Sequence, residues 1–293
     1  MPEMNCRCLI PFVVAALAAF LNFPLVSATP SLGSAQSFAV LGYETVTNGH
    51  SAPNGTTQVY GDLGVTPGTS VTGFYPDGTV SGGTIQLNDG AAQLALTDAT
   101  AAYNTLAALS SPFNLTGQDL GSQTLTPGVY HFDSSAQLTG PLTLDFDGNP
   151  NADFIFQIAS TLTTASNSSV KVINGGSLSG VYWQVGSSAT LGTDTMFAGN
   201  ILADANVTLD PGADILCGRA FALNGAVTLT DNLISNNNTA QNFGSGRSDF
   251  GSYGFSGGSS AAVPEQSTAL GLGIYIAGLA GASIGRRKKR HHK

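Results

Sequence analysis

The sequence predicts a mainly β fold, a β-solenoid of short stacked coils with one long α-helix packed alongside. Three observations carry this. The composition excludes the competing classes, a Thr-Leu step recurs at short intervals, and an Ala-rich segment has the pattern of a covering helix.

Only 10% of the 293 residues are charged, and there are 37 Gly, 29 Thr and 29 Ser. Soluble domains usually carry about a quarter charged residues. Disorder driven by high charge is therefore excluded, and so is collagen, because the glycines lack a three-residue period. Gly, Thr and Ser are poor in helix interiors, which argues against a helical bundle. The charges are unevenly placed. Six of the ten Lys and Arg residues fall in the last eight positions, whereas residues 29–242 hold only Lys171 and Arg219 against fifteen Asp and Glu, a net charge of −13. A nucleic-acid backbone requires a basic patch, and this region has none.

The Thr-Leu step appears at Thr124, Thr143, Thr161, Thr190, Thr208 and Thr228. The gaps are nearly equal, except for the longer one between Thr161 and Thr190. Coils of about nineteen residues, with the long gap as one enlarged coil, point to a β-solenoid. Side chains alternate along a strand, so Leu turns inward and its Thr neighbours outward. A second strand type, Phe154-Ile-Phe-Gln-Ile158, Val181-Tyr-Trp-Gln-Val185 and Asn200-Ile-Leu-Ala203, is apolar on both parities. Such strands are covered on both sides. The expected cover is a helix over residues 89–109, capped by Asn88 or Asp89, with Leu94, Ala95, Ala102, Tyr103, Leu106 and Leu109 at helical spacing. Residues 38–85 read as strands and turns that complete the solenoid. Cys217 is expected to be a small core residue, and Arg219 the structural partner of an Asp.

Both ends read as addresses. Residues 1–28 carry Arg7, an apolar run at 9–21 and Val26-Ser27-Ala28, the pattern of a secretory signal. The run is shorter than the roughly 20 residues a membrane span needs. Residues 236–262 are rich in Asn, Gly and Ser and read as a flexible linker. Val263-Pro264-Glu265, an uncharged stretch at 266–285 and Arg286-Arg287-Lys288-Lys289-Arg290 then follow. This three-part tail resembles the PEP-CTERM sorting signal, although Gln266 stands where that family usually has Pro. The resemblance implies an exosortase-type processing enzyme as a partner and the bacterial exterior as the destination. A plain C-terminal membrane anchor fits the same residues.

A second resemblance covers the domain itself. Leu32-Gly-Ser-Ala-Gln-Ser-Phe-Ala-Val-Leu41 is followed by Gly61-Asp-Leu-Gly-Val65, Val71-Thr-Gly-Phe74 and Leu115-Thr-Gly-Gln-Asp-Leu-Gly121. Later come Leu125-Thr-Pro-Gly-Val-Tyr130, Trp183-Gln-Val-Gly-Ser-Ser188, Gly218-Arg-Ala220 and Asn224-Gly-Ala-Val-Thr-Leu229. In this order the blocks resemble the ice-binding protein-like family. The resemblance implies a right-handed, roughly triangular β-helix with one long helix, and adsorption to ice as the activity. No cofactor is then expected, and the protein is expected to be a monomer.

Ice adsorption requires a flat, rigid, weakly charged surface that holds ordered water. Thr supplies a hydroxyl and a methyl on a side chain with few rotamers. The candidate ice-binding residues are Thr124, Thr126, Thr143, Thr161, Thr163, Thr190, Thr208, Thr228 and Thr230, read as one array. The rival enzyme reading needs a carboxylate pair or a Ca²⁺ cluster. Asp145, Asp147 and Asp153 are the candidates, in a segment that also reads as a polar turn. A third reading is a cell-surface adhesin or matrix component without ice activity.

Overall fold

The computed structural model describes residues 31–50, 56–149, 152–175 and 179–236. The chain winds through three strand positions per coil. One coil contains Gly128–Phe132, Ala136–Leu138 and Pro141–Asp145, and the next contains Asp153–Ile158, Leu162–Thr164 and Ser169–Ile173. Each strand pairs in parallel with its counterpart in the next coil. Three faces result, as expected of a β-solenoid.

The coils are unequal in a way the Thr-Leu spacing hides. On the middle face, the paired positions Gln137 and Thr163, and then Thr163 and Thr190, are separated by long stretches of chain. The stretches from Thr190 to Thr208 and from Thr208 to Thr228 are much shorter. Two coils are thus enlarged rather than one. In the shorter coils the third strand runs straight into the first strand of the next coil, giving Met196–Ala203 and Asp214–Ala222. Their register shifts between Ala198 and Gly199, which leaves Cys217 as the extra residue of a bulge at φ 55°. Cys217 is buried, as expected of a core residue. Gly199 bends the partner strand at φ 101°, where an added Cβ would lie 2.6 Å from Val181 Cγ1.

The N-terminal strands stack beyond the last C-terminal coil. Phe38–Gly42 pairs with Asp214–Ala222, Thr45–Gly49 with Val227–Thr230, and Thr57–Tyr60 with Leu233–Ser235. A further turn, Asp62–Val65, Ser70–Thr72 and Gly78–Ser81, extends the stack to Ile85–Leu87 at its edge. The chain then runs back along the stack, as the helix Gly90–Ala107 and the residues after it, and begins the opposite edge at Phe113–Asn114. Asp89 caps the helix, its carboxylate accepting the Ala92 amide at 2.9 Å, an interaction worth about 1 kcal/mol.

The helix covers one face, as the two-sided apolar strands require. Ile155, Tyr182, Leu202, Phe221 and Leu41 point outward from that face into Ala95, Ala99, Ala102 and Leu106. The buried stripe is Ala92, Ala95, Ala99, Ala102 and Leu106. Leu94, expected in the stripe, is 53% exposed. It lies next to Ala95 in the chain and so about 100° around the helix axis from it. Small alanines form the stripe because they let the helix approach the sheet closely. Inside the solenoid, Tyr130, Phe156, Trp183 and Phe197 form a ring column that the exposed Phe113 continues at the edge strand, with centroids 4.0–5.5 Å apart.

Two ionisable groups lie on the strands of the covered face, Arg219 buried and Asp153 partly buried. Arg219 donates to Asn200 Oδ1 at 2.8 Å and to the Gln36 carbonyl at 2.5 Å. Its partners are therefore an amide and a backbone oxygen, not the expected Asp. The strand register places Asn200 directly beside it. Burial pulls Arg219 down to about 10.

Asp153 opens its strand opposite Gly180, and its Oδ1 has no hydrogen-bond partner. Burial, partly offset by the Gly180 amide, pushes its carboxyl up to about 7. The folded protein thus holds this proton more tightly than the unfolded chain does. The group favours folding at low pH, and that contribution is lost as pH rises through about 7. Asp153→Asn should stabilise the protein by on the order of 3 kcal/mol near pH 9 and by much less near pH 4. Thermal unfolding at both pH values checks this, and an equal effect at the two would contradict it.

The N-terminal leader and the sorting motif Val263, Pro264 and Glu265 lie outside the described residues. Among the described residues no helix is long and apolar enough to cross a membrane. Asn236, assigned to the linker from composition, belongs to the solenoid. Its amide donates to the Ser37 carbonyl at 2.7 Å, and its backbone N–H donates to the Tyr60 carbonyl.

Candidate functional site

The middle face is a seven-stranded parallel sheet that places one residue per strand in a single rank. In order these are Gln137, Thr163, Thr190, Thr208, Thr228, Thr47 and Thr72. The rank arises because each strand presents an inward apolar residue immediately before it. Leu162, Ala189, Val207, Val227 and Val46 are fully buried there. Alternation then forces the next side chain outward. Parallel register places successive threonines one strand spacing apart, about 4.8 Å.

The hydroxyls of Thr163, Thr190, Thr208 and Thr228 make no side-chain hydrogen bond among the described residues, while Thr72 approaches Thr47 at 3.4 Å. The corners on either side are tied down. On one side Thr161 donates to Ser135 at 2.8 Å, the Asn206 amide donates to Ser188 Oγ, and the Ala226 amide donates to Asn206 Oδ1. On the other side Thr164 and Thr195 share a buried hydrogen bond of 2.8 Å, and Ser168 donates to the Leu138 carbonyl. Asn232 donates there to the carbonyls of Asp210 and Ala213. An uncommitted hydroxyl rank is thus held between two polar ladders that fix the backbone beneath it.

The nine threonines selected from sequence do not form one array. Thr163, Thr190, Thr208 and Thr228 share the rank just described. Thr161 lies on the same face at the tied corner, and Thr230 pairs with Gly49 beyond the rank. Thr124 and Thr143 pair with each other, and Thr143 with Lys171, on the third face. Thr126 follows Thr124, and its carbonyl accepts the Tyr130 hydroxyl. The physical reason is that the Thr-Leu step occurs on both uncovered faces, so the chain from Thr143 to Thr161 is less than a full coil. Thr47 and Thr72 were missed because Leu does not follow them. An apolar residue before the Thr would have found them, as in Val46-Thr47, Val71-Thr72 and Val207-Thr208, but Leu142-Thr143 on the third face carries the same pattern.

The other faces are less uniform. One is covered by the helix, and the third carries Lys171 in its threonine row and Asp145 at the end of a strand. Asp145 accepts the Asp147 amide at 2.9 Å and the Asn174 side chain at 2.8 Å. It thus shapes a turn, and these bonds hold its carboxyl below the usual range. Among the described residues no three His, Cys, Asp or Glu side chains group as a metal site.

These features define a class: a three-faced parallel β-solenoid, flanked by one helix, with an in-register threonine rank on one open face. Comparison with known proteins narrows it. Residues 40–235 match the family described as ice-binding-like. The chain is 50% identical over 236 residues to the ice-binding protein of Nostoc sp. (strain HG1), covering 80% of this chain and 85% of that protein. The crystal structure of an ice-binding protein from an Antarctic biological consortium matches with a TM-score of 0.65 and 43% identity, over 71% of this chain and 90% of that one. That of the Antarctic ascomycete Antarctomyces psychrotrophicus matches at 0.63 and 38%, over 70% and 96%. The chain belongs to the ice-binding-like family.

Proposed function

We propose that this protein binds ice through its threonine face. The observation that carries the reading is the rank of six in-register threonines, Thr163, Thr190, Thr208, Thr228, Thr47 and Thr72. Each methyl restricts the water beside it, and each hydroxyl fixes one. The β-branch limits rotamers, and the parallel ladder sets the spacing. Little order then has to be created when the surface meets an ordered water layer, the general advantage of a preorganised site. The names of the relatives support the same reading. Thr161 and Thr230 flank the rank and support it, whereas Thr124, Thr126 and Thr143 face elsewhere and make no contact with the same ice surface.

Adsorption requires no cofactor and no catalytic group. Residues 1–28 direct export, and the tail around Val263, Pro264 and Glu265 is handled by an exosortase-type enzyme, so that the protein acts as a monomer at or beyond the cell surface. The test is direct. Residues 29–236 are expressed and assayed for thermal hysteresis and ice recrystallisation inhibition. Activity in either assay supports the reading, whereas absence of both at high concentration overturns it and leaves a structural role in the surface matrix.

A further inference from the structure

The helix is shorter than the face it lies along. Its 18 residues span about 27 Å, whereas the strands from Phe113–Asn114 to Ile85–Leu87 occupy nine positions, or about 38 Å. Where the helix ends, the outward row of the face changes character. Leu41, Phe221 and Leu202 give way to Gln184, Gln157 and His131, neighbours in strict register. A cavity of about 240 Å³ opens there, lined by these three residues with Ser111 and Asp133.

The polar groups at this cavity are arranged rather than merely exposed. Both amide hydrogens of Gln157 are used on the helix terminus, donated to the carbonyls of Leu106 at 2.7 Å and Leu109 at 2.9 Å. Its side-chain oxygen is left as an acceptor. Gln184 is 7% exposed. Asp133 Oδ2 is oriented by Asn114 and Thr116, and Asp133 Oδ1 stands 3.9 Å from His131 Nε2, too far for a hydrogen bond. His131 Nδ1 is buried without a hydrogen-bond partner. A buried polar atom left unpaired is unfavourable, so the imidazole is held here without the internal partner that a purely structural histidine would have.

We propose that this cavity binds adjacent hydroxyl groups of a sugar or polyol. The set is rich in acceptors, with Gln157 Oε1 and the Asp133 carboxylate, and adds an imidazole and the Ser111 hydroxyl as groups that both donate and accept. Vicinal hydroxyls donate to the carboxylate and amide oxygens and accept from imidazole or serine. The volume suits one sugar ring or a smaller polyol. The cavity lies on the helix-covered face, separate from the threonine face, so the proposal stands independently of ice binding.

The test is a titration of the intact protein with glycerol, methyl glucoside and dextran, followed through the histidine ring signals by NMR. A saturable shift of the His131 signal is expected. Asp133→Ala and His131→Ala should each weaken binding about tenfold, read for the second through backbone amide shifts, with thermal stability retained. Binding by glycerol alone identifies a free solute as the source, and binding by methyl glucoside and dextran a glycan; both support the site. No saturable shift with any probe, or affinity unchanged in both variants, would overturn it.

Discussion

Thr190→Tyr and Thr208→Tyr are each expected to lower ice activity at least roughly tenfold, equivalent to about 1.4 kcal/mol of adsorption free energy. Both residues stand mid-rank between threonine neighbours on adjacent strands. A tyrosine there rises above the plane of the methyls and hydroxyls and holds the remaining rank away from the ice surface. Neither substitution disturbs the core, because the inward residues are Ala189 and Val207. Stability should therefore change by no more than about 0.5 kcal/mol. The matched control is Thr143→Tyr on the third face, beside Thr124 and Lys171, which should leave activity at the wild-type level. Thermal hysteresis and unfolding curves on the same samples check all three. Equal losses at Thr143 and Thr208 would mean that bulk alone, not position, determines the effect.

The second large effect is on stability. Arg219→Ala should destabilise the fold by about 2–5 kcal/mol, the cost of two unpaired acceptors and a buried void, measured by denaturant unfolding. The change leaves Asn200 Oδ1 and the Gln36 carbonyl without their donor beneath the helix-covered face. It also opens a void in a region that is fully buried, where Tyr182 and Phe221 lie nearby in the register. A loss below about 1 kcal/mol would mean that the guanidinium contributes little net stability.

Much of the fold was legible in the sequence because it depends on local alternation. Val181-Tyr-Trp-Gln-Val185 is apolar on both parities, and its covered position follows. The helix followed from composition and its Asp89 cap, and Ala95, Ala102 and Leu106 of its buried stripe from helical spacing, but Leu94 does not belong to that stripe. Hydrophobicity favoured Leu94, whereas close packing selected the alanines. What sequence could not reveal is long-range register. Val46 pairs with Val227, and Thr47 with Thr228, although they lie near opposite ends of the described chain. No local pattern shows that the first strands close the far end of the stack.

The same limit shaped the site. Thr163, Thr190, Thr208 and Thr228 were readable as outward residues, but the Thr-Leu step is blind to which face a strand occupies. Thr143 was therefore grouped with them although it pairs with Thr124 and Lys171. Conversely, Thr47 and Thr72 extend the rank from strands near the N-terminus. The corner ladders that fix the face, such as Thr164 with Thr195, join positions on successive coils and become visible only in the folded chain.

The most direct measurement uses a single ice crystal grown slowly in a solution of fluorescently labelled protein. Wild type should be incorporated into the ice on defined planes. A Thr190→Tyr/Thr208→Tyr variant of equal stability should be excluded into the liquid. Incorporation of that variant at the wild-type level, on the same planes, would contradict the assignment of ice binding to the threonine face.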